Sequence, residues 1–260
     1  MILKILKYQL RDVFRSRWII AYVLFFLVLT DVLFRFGGDG LRVATSMMNI
    51  ILIVIPLASI ILGAFYLYNA REYIELLLCH PVKRHQLFWG MFLGLALPLV
   101  AAFAGGVMLP YFYNAASAEA WKSALMLVFT GSMLTVIFVA LAYYLALRFD
   151  DRIKGLGLAL VICLFFTIIY DGLILFVIYM FSSYPLEKPV LVLSLLNPID
   201  LGRILLLLQF DISALMGLTG AVFREFFGTP LGMGISVASL LAWLAVPITA
   251  GFRRFLVKDF

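Results

Sequence analysis

Charge is scarce in this chain. Of its 260 residues only 13% are Asp, Glu, Lys or Arg, whereas 65% are apolar and 15% aromatic, with a mean hydropathy of +1.11. A soluble globular domain is about half apolar and about a quarter charged. The apolar excess is more than one core can bury, so the composition excludes an ordinary soluble domain and makes lipid the solvent. Cysteine is almost missing: Cys79 and Cys163 lie in separate segments, which excludes a disulfide framework. There is no HExxH and no GxSxG, so neither a zinc protease nor an α/β-hydrolase is supported. There is no GxxxxGK[ST], so the chain has no P-loop for nucleotide. Tyr170-Asp171 resembles half of an intramembrane aspartyl protease site, but no GxGD turn follows it. No basic run interleaved with aromatics appears, which sets nucleic acid aside as a partner. The opening MILKILKYQLRDVFRSR spreads its charges along its length and does not read as a cleavable signal peptide.

What remains is organised by long apolar runs. Six are long enough to span a bilayer: Trp18 to Phe36, Val43 to Tyr68, Leu87 to Tyr111, Ala124 to Leu147, Gly155 to Phe181 and Leu231 to Phe252. They are apolar on every face, unlike the alternating strands of a barrel, so the expected fold is all-α and polytopic. Pro56, Pro98 and Pro247 fall inside spans and predict kinks. Placing the N-terminus inside puts 14 of the 20 Lys and Arg on the inner side, and all four inner segments are basic. By the positive-inside rule, both termini are then cytoplasmic.

At about 100° per residue, Lys4, Lys7, Arg11 and Arg15 form one stripe, opposite Leu3, Leu6, Leu10, Val13 and Phe14. This predicts an amphipathic helix over residues 1–17, lying on the inner leaflet rather than simply extending the first span. The outer segment 182–230 is too apolar for a hydrophilic loop. Asn197 suits a helix cap and Pro198 a first turn, which predicts a helix from Pro198 to about Phe210 and a second over Ser213 to Phe227. Asn197, Pro198, Asp200 and Arg203 argue against a seventh span there, leaving re-entrant or interfacial helices. Two acids fall within spans. Asp31 is near an outer end, where Arg35 is one turn away. Asp171 is deeper, where it binds a cation, relays a proton or fixes helix packing.

The segment 69–86 interrupts the pattern on the inner side. Its ELLLCHPVKRH core holds Glu75, Leu76, Leu77, Leu78, Cys79, His80, Pro81, Lys83, Arg84 and His85, with Glu72 just before. As a metal site it is weak. Cys79 and His80 are adjacent, His85 lies beyond a proline, and the spacing matches no ligand set, so no metal is expected. As a short helix it has acids near its positive end and an apolar patch, then a stop at Pro81, which suits docking to a soluble partner. An ordinary interhelical loop is the plainer alternative.

The layout resembles the ABC-2 type permeases across nearly the whole chain. Three stretches carry a finer likeness to their NosY-type branch, which serves nitrous oxide reductase maturation: ELLLCHPVKR, IIYDG at Ile168 to Gly172, and LNPIDLGRILLL at Leu196 to Leu207. Cys79 and His80 depart from that pattern, as does Glu72-Tyr73-Ile74. The resemblance implies a non-catalytic subunit forming a single permease domain over 1–260 in a bacterial inner membrane. It implies a homodimer docked on a cytoplasmic ATPase dimer through Glu72 to Arg84, with ATP and Mg held by that ATPase and no cofactor in this chain. It further implies a periplasmic β-helix partner near Asn197, Pro198, Asp200 and Arg203, and a role in copper or sulfur handling. An exporter of lipid, drug or peptide is the alternative within the family. An ion-coupled carrier using Asp171 is the alternative outside it, though no internal repeat supports one.

Overall fold

The computed structural model describes residues 2–80, 82–114, 117–181, 187–210 and 229–258. The described residues form eleven α-helices and a π-helical turn. Helix α1 is Ile2–Phe14, α2 Arg17–Gly37, α3 Gly40–Asn69, α4 Arg71–Leu78, α5 Arg84–Asn114 and α6 Ala118–Arg148. Then come α7 Arg152–Leu164, the π turn Phe165–Ile169, α8 Tyr170–Met180, α9 Glu187–Leu195, α10 Pro198–Gln209 and α11 Pro230–Val257. Six helical stretches are long and apolar enough to cross a membrane: α2, α3, α5, α6, the run α7–π–α8, and α11. The protein is therefore an all-α, polytopic membrane protein, with its spans where the apolar runs put them. The expected helix at Ser213 to Phe227 and the expected stop at Pro81 lie outside the described residues.

Local signals explain the boundaries. Ser117 Oγ accepts from Ala120 N at 3.2 Å, Asp151 Oδ1 from Ile153 N at 2.9 Å, and Thr229 Oγ1 from Gly232 N at 3.1 Å. Each side chain caps a helix start. Gly38 turns α2 into α3 with φ at +68°, a left-handed value that favours glycine. The helices run on through Pro56, Pro98 and Pro247. At about 1.5 Å per residue the 30-residue α3 is longer than the ~30 Å hydrocarbon layer, so it tilts or projects beyond it.

In lipid, apolar surface alone does not drive helices together, so close packing at small residues does the work. α3 and α6 pack side by side. Gly40 lies against Ala120, Ile55 against Gly131, Gly63 against Ala142, and the Tyr68 hydroxyl donates to Phe149 O at 2.9 Å. These pairs step down both helices together, so the two run parallel. α5 packs on α2 where Gly106 meets Phe26 and the Val23 carbonyl, and Phe26 stacks edge-on against Phe103 at 5.0 Å. The chain direction alternates through the spans, so both termini, α4 and the α6–α7 connection share one end of the bundle, here the terminal end.

α1 is amphipathic, and one side of it meets protein. It folds back from α2 and packs along α5, where Gly94 leaves room for the Gln9 side chain. Gln9 is buried and hydrogen-bonded to the Tyr66 hydroxyl of α3. Lys7, Arg11 and Arg15 are exposed, while Gln9 and Val13 of α1 are buried.

Candidate functional site

Two constructions stand out, one at each end of the bundle. At the terminal end, α4 is a two-turn helix held at both sides by basic residues. Arg71 donates to the carbonyls of Ala146, Phe149 and Asp150 at 3.3, 3.0 and 2.9 Å, at the C-terminal end of α6. Its guanidinium also lies 4.9 Å over the Tyr68 ring. After α4, Arg84 donates to the carbonyls of Leu256 and Lys258 at 3.0 and 2.7 Å, at the end of α11. Lys258 Nζ donates to Leu147 O at 2.8 Å and to Asp150 Oδ1 at 2.7 Å. The last carbonyls of a helix lack intrahelical partners and carry partial negative charge, which suits cations. The α4 segment thus bridges the ends of α6 and α11. Asp150 sits among these cations. The hydrogen bond from Lys258 and its charge, then Arg71 and Arg254, hold its carboxyl below the usual carboxylate value.

The faces of α4 divide sharply. Ile74 is fully buried, and Leu77 and Leu78 pack partly against the core. Glu72, Glu75, Leu76, Cys79, His80 and Lys83 are exposed, Leu76 at 66%. The expected apolar patch of three leucines is therefore one outward leucine flanked by two acids. Tyr73 stacks on Tyr8 of α1 with centroids 6.1 Å apart, which joins α1 to α4. Arg84 is turned into the fold as a cap for α11 rather than outward. His80 Nδ1 pairs with Leu76 O at 3.0 Å, and among the described residues no three His, Cys, Asp or Glu side chains converge as a metal set.

Toward the other end, α9 and α10 form a bent pair whose axes change direction by 110° across the break. Asn197 sits at the bend, fully buried, and its Oδ1 accepts from Ile199 N at 3.0 Å as a cap for α10. A broken helix at membrane depth must satisfy its freed carbonyls from side chains. Here the Tyr170 hydroxyl donates to Leu193 O at 2.7 Å and the Ser239 hydroxyl to Leu195 O at 2.9 Å. The bend is also tied to the π turn, because Asn197 Nδ2 donates to Phe166 O at 2.9 Å. A π turn skews the neighbouring backbone carbonyls out of the α-helical pattern, and such turns recur at functional sites. α10 lies in the core, with Gly202 against Thr130 and Leu134 of α6 and Leu52 of α3.

One turn beyond, Arg203 Nη1 donates to Asp171 Oδ2 at 2.7 Å and to Asp200 Oδ1 at 3.2 Å. Asp171 and the Asn197–Arg203 run therefore form a single cluster, although they lie on separate helices. Asp31 pairs with Arg35 at 2.9 Å and accepts from the Tyr113 hydroxyl at 3.0 Å in the C-terminal half of α2, away from the terminal end. Sequence reasoning passed over Asp150 and Ser239, and gave no partners to Arg71, Tyr170 and Lys258. Their partners are backbone carbonyls and side chains brought close by folding, which periodicity does not mark.

Six candidate spans, a bent pair before the last and a braced short helix between the second and third define a polytopic membrane protein. The family model described as ABC-2 family transporter protein matches residues 3–260, and the chain belongs to that family. It is 28% identical to the Pseudomonas aeruginosa protein named "Probable ABC transporter permease protein NosY", over 94% of this chain and 91% of that one. It is 25% identical to the protein of the same name from Stutzerimonas stutzeri, over 95% of each.

Proposed function

We propose that this chain is the membrane subunit of an ATP-driven complex in which a separate ATPase dimer, carrying ATP and Mg, docks on the α4 segment from the cytoplasm. The carrying observation is the bridge made by Arg71 and Arg84. A push on the exposed Glu72, Glu75, Leu76 and His80 face reaches the carbonyl ends of both α6 and α11 through hydrogen bonds of 2.7–3.3 Å. Coupling of this kind needs an element with two arrangements that the nucleotide state biases. The bent α9–α10 pair, tied to the fifth span and to α11, is the element we assign to it. Two copies pair in the inner membrane, with both termini cytoplasmic. The shared family and the NosY names of its relatives support the resemblance to the NosY-type branch. On that resemblance the proposed role is maturation of the copper–sulfur centre of nitrous oxide reductase, with a periplasmic β-helix protein at the outer face.

The test is co-purification from native membranes. The wild-type chain is expected to bring down an ATPase subunit. Glu75→Arg, on the outward face of α4, is expected to lose at least ten-fold of it while the chain itself remains folded and inserted. A wild-type chain that purifies without any ATPase sinks the proposal. A nearby reductase gene separates the maturation role from export of lipid, drug or peptide.

A further inference from the structure

The charge cluster at the bent pair is not balanced. Asp171 and Asp200 share one cation, and because the same nitrogen of Arg203 serves both, their carboxyl groups stand side by side. With both acids ionised the cluster carries one uncompensated negative charge. Among the described residues, the neighbouring spans bring none to offset it. α6 between Ala124 and Ala142, α3 between Val43 and Phe65, and α11 between Leu231 and Phe252 hold no ionisable residue. On the fifth span the nearby ionisable groups are Tyr170, whose hydroxyl is given to Leu193 O, and Cys163 and Tyr179, each about two turns from Asp171. Glu187 and Lys188 stand at the start of α9, about three turns from the bend.

The second oxygen of Asp200 makes the imbalance local. Asp200 is 5% exposed, and its Oδ2 is buried without a hydrogen-bond partner. An ionised carboxylate only accepts, so a second carboxylate beside it is no partner. A proton changes that, since a protonated carboxyl donates to its neighbour. An unpaired charge at membrane depth is costly, and a proton is the smallest group that removes it.

We propose that Asp171 and Asp200 together bind one exchangeable proton at neutral pH, held between the two carboxyl groups beside Arg203. The proton comes from solvent and returns there, and no other bond changes. With it the cluster is neutral and ties the fifth span to α10. Without it two adjacent carboxylates compete for one guanidinium, and the tie is loosened as pH rises. The bent pair thereby carries a proton-sensitive contact, whether or not an ATPase drives the chain.

Infrared spectroscopy of the purified full chain in lipid nanodiscs reads the proton directly. A protonated carboxyl shows a carbonyl stretch absent from carboxylates, and the band shifts in D2O. The expected result is such a band at neutral pH, equivalent to about one carboxyl per chain, vanishing reversibly as pH is raised. It is lost in Asp171→Asn and in Asp200→Asn, and retained in Asp12→Asn and Asp39→Asn. If either variant at the cluster fails to insert, the pH titration of the wild-type chain decides together with the other variant. No band at neutral pH overturns the proposal, as does a band that survives both cluster variants. A band seen in choline buffer but absent in sodium or potassium buffer also overturns it, and assigns the site to a metal cation.

Discussion

Asp150 shows how one residue at the terminal end reports on the whole brace. Its carboxylate accepts from Lys258 at 2.7 Å and lies 3.5 Å from Arg71, joining α11 and α4 at the end of α6. The hydrogen bond and charge of Lys258 favour the ionised form and lower its pKa in the folded protein. For an acid lowered in this way, the contribution to stability is fully present above the ordinary carboxylate value of ~4, and it is lost as pH falls through the lower folded value. The side chain is 79% exposed, so solvent and salt weaken the pair. Thermal unfolding in detergent is expected to place Asp150→Asn below wild type at neutral pH, with the gap closing as pH falls below ~4 and shrinking in high salt. A gap that widens in acid contradicts the assignment. The sequence shows Asp150 only as an acid in a basic connection, because both of its partners arrive through the fold.

At the scale of elements, the six spans were legible because each is a run of apolar residues longer than a bilayer needs. The start of α10 was legible too, since Asn197 and Pro198 are local signals for a helix beginning. The π turn was not, because FFTII reads as any other apolar stretch and the extra residue per turn leaves no mark in hydropathy. Nor was the pairing of Asp171 with Arg203, for which no local periodicity links two residues on separate helices. α1 was legible as amphipathic, but its burial of Gln9 against Gly94 depends on the shape of α5. The bend between α9 and α10 joins what was visible to what was not, and Asn197 is its pivot. Asn197→Ala removes a cap worth about 1 kcal/mol. It also leaves the Phe166 carbonyl without its donor, at about 1–3 kcal/mol. Asn197→Ser keeps a capping oxygen without adding charge and loses the donation. Chemical or thermal unfolding should therefore rank wild type above Asn197→Ser above Asn197→Ala. Equal stability of all three would show that the bend does not depend on this side chain.

For the whole molecule, exposure must be judged against lipid rather than water. The fifth span is the barest, with Ile168, Leu175 and Tyr179 at 64, 67 and 81%. In water such a face would demand a partner. In a bilayer it sits comfortably against acyl chains, so it permits pairing of two copies without requiring it. Orientation can be settled more directly, because the chain carries only two cysteines and the fold separates them. Cys79 is exposed beside α4 at the terminal end, whereas Cys163 is buried within the fifth span. The Lys and Arg distribution predicts a cytoplasmic terminal end, in line with the proposed docking face. In intact spheroplasts a membrane-impermeant maleimide is therefore expected to label neither cysteine. In inside-out vesicles it should label Cys79 alone, and Cys79→Ser should abolish the signal. Cys163 should react only after denaturation. Labelling of Cys79 from outside intact spheroplasts would invert the topology. It would also remove α4 from the reach of any cytoplasmic ATPase, so this measurement bears on the docking face as well as on the direction of the chain.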